Sequence, residues 1–319
     1  MGIKVVFMGT PDFAVASLKA IKESGINVVG VITAPDKPAG RGKKIQSSAV
    51  KQYAQEAGIN SILQPTNLKD LDFQNELKAL DADLFVVVAF RMLPEAVWSM
   101  PKKGTINLHA SLLPNYRGAA PINWAVINGE EKSGATTFFI RHEIDTGNII
   151  QQREVAIEAD DSAGSYHDKL MIEGALLLVD TIKSIESDTY QTVSQEELMN
   201  GDLKEAPKIF KDDCRINWNQ PAKKTYNFIR GLSPYPAAWT EFTGKNTKAL
   251  SFKIFEVIVR DDLPTTGVGK IQFQDNTILI GTTDYCIQIN ILQQAGKKRM
   301  DTKAFLLGFN GKEEYSLAT

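Results

Sequence analysis

The sequence predicts an α/β protein: a Rossmann-like, doubly wound, mostly parallel sheet followed by a smaller β-barrel domain. Apolar runs of strand length alternate with helical patterns as far as about residue 127. Short β-rich runs separated by turn residues then occupy Lys253–Ile291. The length of 319 residues exceeds that of a usual single domain of about 100 to 200 residues, which favours two domains.

The first elements of the chain form a βαβ unit. Ile3–Phe7 and Asn27–Thr33 are apolar runs typical of buried strands, and Phe13–Glu23 between them has helical periodicity. Leu84–Ala89 and Thr105–Leu108 continue the series of strands. Because strands joined through helices pair in parallel, these runs predict one sheet. Further helical patterns lie near Ser48–Ala57, Asp70–Leu80 and Pro121–Ile127.

Ligands of such sheets bind beyond the carboxyl ends of the strands. Gly9, the segment Phe90–Leu93, and Asn107 with His109 all come at the ends of strand patterns, so we expect them to meet at one edge. The Gly9-Thr10-Pro11 turn lacks the G-x-G-x-x-G pattern of dinucleotide-binding proteins. A nicotinamide-dependent dehydrogenase is therefore disfavoured.

The later part of the chain indicates a domain boundary. A helical stretch over Ala163–Ser184 should close the first domain, and the polar stretch Glu186–Pro207 lacks periodicity, as linkers do. We expect an α/β catalytic domain over 1–188, a linker over 189–207 and a β-barrel domain over 208–319. The expected barrel strands are Ile254–Val259, Gly269–Phe273, Thr277–Ile280 and Cys286–Leu292.

A carboxamide and an imidazole two residues apart form the most informative motif. Residues i and i+2 of a strand project from one face, so Asn107 and His109 can approach the same substrate atom. Asn107 offers a neutral donor and His109 a titratable nitrogen. Asp145, in the turn-like segment Ile144–Asn148, can orient a histidine or favour its charged form. The alternative is a structural histidine bonded to a carbonyl, with Asp145 capping a turn.

This pattern resembles the 10-formyltetrahydrofolate-dependent formyltransferases. In that family an Asn, a His within N-x-H-x-S-L-L-P-x-x-R-G, and a later Asp in D-T-G surround the transferred formyl group. Asn107–Gly118 and Asp145–Gly147 match both patterns, and the resemblance covers nearly the whole chain. Among the members of this family, the chain most resembles those that act on methionyl initiator tRNA. The segments that carry this resemblance are Phe7–Ala14, Asp36–Lys44, Arg117–Ile122, Ile216–Trp218, Pro234–Trp239 and Gln294–Lys298.

The resemblance implies an enzyme that formylates the α-amino group of methionyl initiator tRNA, giving N-formylmethionyl-tRNA for translation initiation. Asn107, His109 and Asp145 would be its catalytic residues, and its C-terminal barrel would be OB-like and bind tRNA. The formyl donor, 10-formyltetrahydrofolate, would be a cosubstrate and not a permanently bound cofactor. The folate would contact a wall made of Ser111, Leu112, Leu113 and Pro114. The alternative for that segment is an ordinary apolar turn. The pterin ring of the folate would enter a slot made of Phe90, Arg91, Met92 and Leu93.

Two basic clusters are candidates for contacts with tRNA. Lys37–Lys44 carries four positive charges on a loop that follows the second strand, and Arg41 is our first choice for a phosphate or base contact. The alternative for each cluster is a solvated, charged surface. From Lys208 onward the chain has 16 Lys and Arg against 11 Asp and Glu, a net +5, which leaves −7 on the part before it. The expected tRNA-binding residues are Arg41, Lys43, Lys44, Lys297 and Lys298.

The composition of the chain disfavours a membrane protein, a metal-binding protein and a disulfide-bonded protein. No apolar run approaches the roughly 18 residues that a membrane helix requires, so we expect a cytoplasmic protein without a membrane partner. Cys214 and Cys286 are isolated and the chain has only three histidines, so we expect free thiols and no metal. We also expect a monomer.

Two other functions compete with tRNA formylation. A formyltransferase could act on a small amine, such as glycinamide ribonucleotide or an amino sugar nucleotide, but such an acceptor would leave the basic clusters unexplained. A non-catalytic RNA-binding module is the second possibility. Intact Asn107, His109 and Asp145 argue against it.

Overall fold

The computed structural model describes residues 2–39, 44–199, 201–274 and 276–319. The chain forms two compact units, each made of segments that are separate in sequence. The first unit contains Met1–Gly118, Lys132–Ala156 and His167–Glu205, and the second contains Ala119–Glu131, Ile157–Tyr166 and Ala206–Thr319. The domain boundaries expected from the sequence, with a linker over 189–207, stay a prediction.

The strands and helices are numbered along the chain. The strands are β1 (Lys4–Gly9), β2 (Asn27–Ile32), β3 (Lys37–Ala39), β4 (Lys44–Gln46), β5 (Ile62–Leu63), β6 (Leu84–Val88), β7 (Thr105–His109), β8 (Arg117–Gly118), β9 (Lys132–Phe139), β10 (Ile149–Ala156), β11 (Glu205–Ala206), β12 (Ala238–Thr243), β13 (Leu250–Pro264), β14 (Ile271–Gln274), β15 (Thr277–Gly281), β16 (Tyr285–Gln294), β17 (Met300–Asp301) and β18 (Leu317–Ala318). The helices are α1 (Asp12–Glu23), α2 (Ala49–Glu56), α3 (Leu71–Ala79), α4 (Glu95–Trp98), α5 (Pro121–Ile127), α6 (Ala163–Glu186), α7 (Ala222–Leu232) and α8 (Thr302–Leu307).

A seven-stranded sheet is the centre of the first unit. Its strand order is β5-β2-β1-β6-β7-β9-β10, and the first five strands in that order are parallel. The last two strands run antiparallel to their neighbours β7 and β9. Every residue of β6 is buried, as expected for an apolar strand covered on both faces. The predicted Rossmann-like, mostly parallel sheet is confirmed.

The central parallel strands end at the same level. Gly9 at the end of β1 pairs with Val88 of β6, and Val88 pairs with Leu108 of β7. The residues that follow these strands therefore lie at one carboxyl edge. This register is the reason that the sequence motifs at Gly9, Phe90 and His109 belong to the same region of the fold.

Two helices of the first unit, α2 and α3, begin at residues whose side chains cap them. Ser48 accepts a hydrogen bond from the Lys51 backbone N–H at the start of α2, and Asp70 accepts one from the Phe73 backbone N–H at the start of α3. Such caps satisfy backbone donors that have no partner within the helix. Each predicted helix in this region is present to within a residue or two of its predicted ends.

An antiparallel barrel forms most of the second unit. Its strand order is β14-β15-β16-β13-β12-β18, and a bridge between Lys270, next to β14, and Leu317 of β18 nearly closes it. Side chains such as Phe242, Phe252 and Ile254 are fully buried in its core. The predicted smaller β-barrel is confirmed.

Several elements were not identified from the sequence. The pair β9 and β10 was missed because β10 alternates exposed polar residues with partly buried ones, so its apolar signal is weak. Helix α7, which follows Pro221, and the short helix α8 were missed as well. Within the described ranges, no helix is both long and apolar enough to cross a membrane.

Candidate active site

Strand β7 carries Asn107 and His109 on one face. Asn107 pairs with Val87 on one side and with Phe138 on the other, so the strand is fully extended at this position. His109 is buried, with 6% of its surface exposed, whereas Asn107 is half-buried. Within the part of the chain that the structure describes, the Asn107 carboxamide has no hydrogen-bond partner. It is therefore available to a ligand.

The two ring nitrogens of His109 have different neighbours. Nε2 lies 2.8 Å from the backbone oxygen of Tyr116. Because a carbonyl oxygen only accepts, Nε2 must carry the hydrogen and donate it. Nδ1 faces Asp145, with 3.8 Å between Nδ1 and Oδ2. At this distance the two atoms form no direct hydrogen bond, so Nδ1 is the nitrogen that remains open to exchange a proton.

Asp145 reaches His109 from the loop between β9 and β10. Its backbone φ is 54°, in the left-handed region that Asp adopts more readily than most residues. Its Oδ2 accepts a hydrogen bond of 3.1 Å from the Gly118 backbone N–H. A Cβ atom on Gly147 would lie only 1.6 Å from the backbone oxygen of Phe139, so this turn requires glycine there. The D-T-G pattern thus has a steric basis as well as a chemical one.

A residue that the sequence analysis did not single out supports this turn. The Gln195 side chain donates hydrogen bonds to the backbone oxygens of Asp145 (2.8 Å) and Gly147 (2.9 Å). Its Oε1 accepts bonds from Nε and Nη2 of Arg117. Gln195 lies in the polar stretch 189–207, where no periodicity or motif distinguishes it.

The predicted folate wall, Ser111 to Pro114, is fixed by hydrogen bonds from β9 and β10. Thr136 of β9 donates to the Ser111 backbone oxygen (2.6 Å) and accepts from the Leu113 backbone N–H (3.1 Å). Gln152 of β10 donates to the Leu113 backbone oxygen. The Leu113–Pro114 peptide bond is cis. Ser111, Leu113 and Pro114 are buried and Leu112 is half-buried, so the wall is a defined backbone surface.

The predicted pterin slot follows β6, the neighbour of β7. Leu93 is buried and Phe90 packs on the apolar core between the sheet and its helices, whereas Met92 is 71% exposed. The Arg91 guanidinium donates to the backbone oxygens of Pro65 and Thr66. Partial burial lowers its pKa, but a guanidinium keeps its charge at any pH at which proteins fold. Arg91 thus links the segment after β6 to Pro65 and Thr66.

Comparisons with known proteins decide the family. The formyl transferase family model matches residues 3–182, and the model of the formyl transferase C-terminal domain matches residues 208–310. This chain belongs to the formyl transferase family.

Relatives of this formyl transferase match it from end to end. A methionyl-tRNA formyltransferase of Parabacteroides distasonis is 53% identical, over 99% of this chain and 98% of that protein. A methionyl-tRNA formyltransferase of Flavobacterium johnsoniae is 51% identical over 98% of both chains.

Solved structures share the fold at low sequence identity. A sugar 3N-formyl transferase, WlaRD, solved with dTDP and 5-N-formyl-THF, is 22% identical with a TM-score of 0.64, over 93% of this chain and all of that one. HypX from Aquifex aeolicus in complex with tetrahydrofolic acid is 15% identical with a TM-score of 0.63, over 97% of this chain and 47% of that one. At these identities the likeness concerns the fold alone.

The predicted tRNA-binding residues of this formyl transferase come from two segments of the chain, 41–44 and 297–298. Arg41 and Lys43 lie outside the described residues, and of Lys44 only the backbone, in β4, is described. Lys297 and Lys298 are exposed on the turn after β16 in the second unit. The role of all five in tRNA binding stays a prediction.

The base of the β3–β4 hairpin is tied to the first unit by polar contacts. Asp36 accepts hydrogen bonds from Lys51 Nζ (2.6 Å) and from Gln64 Nε2 (2.8 Å). These contacts, with that to Lys51 the stronger, lower the pKa of the Asp36 carboxyl below its usual value. The strands that flank the basic loop therefore start from a fixed point.

Other features of this formyl transferase lie away from His109. A cavity of about 400 Å³ at the amino ends of β1 and β2, lined in part by Lys4, Lys183 and Glu186, is at the opposite edge of the sheet. Cys214 and Cys286 are free and buried, and burial raises the pKa of the Cys214 thiol. Over the described ranges, no group of three or more His, Cys, Asp or Glu side chains could hold a metal ion.

Proposed function

We propose that this chain transfers the formyl group of 10-formyltetrahydrofolate to the α-amino group of methionyl initiator tRNA. The observation that carries the chemistry is the buried His109 imidazole, 3.8 Å from Asp145. On the same strand face lies the Asn107 carboxamide, which has no hydrogen-bond partner among the described residues. The acceptor is supported by relatives with more than 50% identity over nearly their full length that are named methionyl-tRNA formyltransferase.

The reaction begins with attack of the amine on the formyl carbon. An α-amino group titrates at about 7.7 to 8.0, so a substantial fraction is already a neutral nucleophile near neutral pH. The enzyme therefore needs no group to create a strong nucleophile. Its task is to hold the amine and the formyl carbon in contact and to stabilise the tetrahedral adduct.

Negative charge develops on the former carbonyl oxygen of the formyl group. We assign its stabilisation to the Asn107 amide N–H and to a protonated His109. A preorganised donor at such an oxygen contributes about 3 to 4 kcal/mol to transition-state stabilisation. Asn107 suits this task because its carboxamide forms no competing hydrogen bond within the described residues.

The attacking nitrogen of the adduct then loses a proton. The folate nitrogen gains a proton as its bond to the formyl carbon breaks. His109 Nδ1 and the Asp145 carboxylate are the groups placed to move these protons. The products are the N-formylated amine and tetrahydrofolate.

The folate is assigned to the Ser111–Pro114 wall and to the pterin slot at Phe90–Leu93. Both segments follow neighbouring strands at the same carboxyl edge, where ligands of such sheets bind. One solved protein of the same fold was determined in the presence of 5-N-formyl-THF and another in complex with tetrahydrofolic acid, which supports a folate donor.

The tRNA is assigned to Arg41, Lys43 and Lys44 and to Lys297 and Lys298. Lysine and arginine contacts to the phosphate backbone would supply affinity that falls with rising salt. Because translation initiation takes place in the cytoplasm, the proposal puts the protein there. We also infer that it acts as a monomer, since Asn107, His109 and Asp145 all come from one chain. Sedimentation of the protein with and without tRNA tests that inference.

A formyl-transfer assay tests the proposal. Wild type and His109→Ala receive 10-formyltetrahydrofolate and methionyl initiator tRNA, with glycinamide ribonucleotide as a competing acceptor. We expect transfer to the tRNA, no transfer to the ribonucleotide, and a loss of at least about 100-fold in the variant. The structural control is His142→Ala, which changes an exposed histidine and should retain the wild-type rate. Transfer only to glycinamide ribonucleotide would show that the acceptor is a small amine and not tRNA. A His109→Ala variant with wild-type activity would refute the assignment of His109 to the active site.

A further inference from the structure

The Gln195 side chain is buried and fully bonded. Only 1% of its surface is exposed, and both ends of its carboxamide are used. The Nε2 group donates to two backbone oxygens of the Asp145–Gly147 turn, and Oε1 accepts from two nitrogens of Arg117. A carboxamide is one of few groups that can accept at one end and donate twice at the other.

These contacts close a ring that contains Asp145. Gln195 bonds to Arg117, the next residue Gly118 donates its backbone N–H to the Asp145 carboxylate, and the Asp145 backbone oxygen bonds back to Gln195. The carboxylate is thereby fixed through both its own oxygen and its backbone. Asp145 also has a positive φ, a conformation that persists only when surrounding contacts hold it.

Gln195 itself is held in place by the chain around it. Val193 pairs with Ile149 at the start of β10, and Ser194 caps the short 3-10 helix that starts at Gln195. The side chain therefore approaches the turn from a segment that is anchored independently of Asp145. A rigid support of this kind sets the position of a reacting group to within a fraction of an ångström.

We propose that Gln195 is a positioning residue that fixes the Asp145 carboxylate at its distance from His109 Nδ1. The inference rests on the proposed function, because it assigns Asp145 a part in formyl transfer. Gln195 touches neither substrate in this account. It acts on the rate of the chemical step through Asp145.

The test replaces the carboxamide while preserving its volume. Gln195→Met removes every hydrogen bond, and Gln195→Glu keeps an acceptor for Arg117 but cannot donate to the turn. The matched control is Gln74→Met on α3, which likewise removes a carboxamide that donates to a backbone oxygen in the first unit. We expect both Gln195 variants to lower kcat about 10- to 100-fold while each KM changes less than about threefold, and Gln74→Met to retain the wild-type kcat.

A double-mutant cycle separates positioning from a general loss of structure. In an Asp145→Asn background, Gln195→Met should lower kcat by less than about threefold further, because the group it positions no longer acts. Equal losses in the two backgrounds would show that Gln195 acts independently of Asp145 and would overturn the proposal. A wild-type kcat in Gln195→Glu would overturn it too.

A spectroscopic measurement distinguishes this proposal from the function on which it rests. The chain has three histidines, so a nitrogen-15 imidazole spectrum resolves few signals, and those of His109 are identified by their absence in His109→Asn. We expect Gln195→Met to shift the His109 signals and leave those of His142 and His167 unchanged, with no shift in Gln74→Met. Unchanged His109 signals would refute the positioning role. A wild-type enzyme that does not formylate methionyl-tRNA would instead refute the proposed function.

Discussion

Asp145 combines an unusual backbone conformation with a specific partner. Its positive φ turns the carboxylate toward His109, and the bond from the Gly118 N–H keeps Oδ2 in place. Gly147 completes the turn because any side chain there would collide with the Phe139 backbone oxygen. The contacts that stabilise this backbone conformation also set the geometry of the proposed reaction.

Asp145→Asn should separate chemistry from binding. The amide keeps the shape of the side chain but cannot accept and pass on a proton as the carboxylate can. We expect kcat to fall about 100- to 1000-fold, with KM for tRNA and for folate within about threefold of wild type, because the residue acts on the adduct. Steady-state kinetics with each substrate varied in turn measures this.

Glu143→Gln is the control for that prediction. Glu143 is exposed on the same loop and its change of charge is identical. It should leave kcat at the wild-type value. A loss of activity in Glu143→Gln equal to that in Asp145→Asn would show that the net charge of the loop, and not the contact with His109, is responsible.

At the scale of elements, β9 presents two faces with different tasks. Thr136 pairs with His109 and bonds to the Ser111–Leu113 segment, whereas Thr137, on the other face, bonds to Thr181 of α6. The same strand thus supports the proposed folate wall on one side and the packing of a helix on the other. The period of two along a strand is the physical origin of this division.

Thr136→Val should weaken folate binding. Valine has the shape of threonine but leaves the Leu113 N–H without its hydroxyl acceptor, and an unsatisfied buried donor costs about 1 to 3 kcal/mol. We expect KM for 10-formyltetrahydrofolate to rise about tenfold and KM for tRNA to stay unchanged. Thr137→Val is the matched control: it should lower the temperature of unfolding without changing folate KM. Equal folate KM values in the two variants would contradict the assignment of the wall.

The anchor of the β3–β4 hairpin should depend on pH. Because its contacts lower the Asp36 pKa, they stabilise the fold above the ordinary carboxyl pKa of 3.8, and this contribution is lost as the pH falls through the lower, folded-state value. Asp36→Asn should therefore reduce the free energy of unfolding at pH 7 and reduce it by less at pH 3. Urea unfolding at both pH values measures the difference.

The exposed Asp202 provides the comparison for Asp36. It lies in the first unit and is not part of any described ion pair, so Asp202→Asn should not change stability at either pH. If Asp36→Asn lowers the free energy of unfolding by the same amount at both pH values, the carboxylate form of Asp36 is not what stabilises the hairpin base.

At the scale of the whole molecule, charge is distributed unevenly along an almost neutral chain. The net charge is −2, yet the part from Lys208 onward carries +5. In that part, Lys297 and Lys298 are exposed on a turn whose backbone is fixed by Gly296, which has a φ of 77°. A long, polyanionic substrate is the class of partner that such a surface attracts.

The Lys297→Gln, Lys298→Gln double variant should reduce the salt dependence of tRNA recognition. Each phosphate contact contributes about 0.7 to 0.9 to the slope of log affinity against log salt, so the loss of two contacts should lower the slope by about 1 to 2. The measurement is kcat/KM for tRNA at several salt concentrations. Lys245→Gln with Lys248→Gln removes the same charge from another exposed loop of the second unit and should leave the slope unchanged. A smaller slope in both variants would indicate a non-specific charge effect.

The sequence by itself determined the fold class and the motif that defines the candidate site. Apolar periodicity is a local property of the chain, so the strands β1, β2, β6 and β7 and the helices α1, α2 and α3 could be predicted from it. The i, i+2 spacing of Asn107 and His109 is local as well, and the pairing of β7 gives it the expected extended geometry. The catalytic roles of Asn107, His109 and Asp145 stay a prediction that the experiments above test.

Only the tertiary structure decided which groups surround those residues. The Tyr116 backbone oxygen selects the His109 tautomer, and Gln195 supports a turn 50 residues before it in sequence. Neither is visible in a sequence pattern, because a backbone carbonyl has no signature of its own and Gln195 lies in a polar stretch without periodicity. The antiparallel strands β9 and β10 were missed for a related reason. Strand β9 is stabilised by pairing with β7 and by contact with α6, and β10 by pairing with β9, and these contacts exist only once the chain has folded.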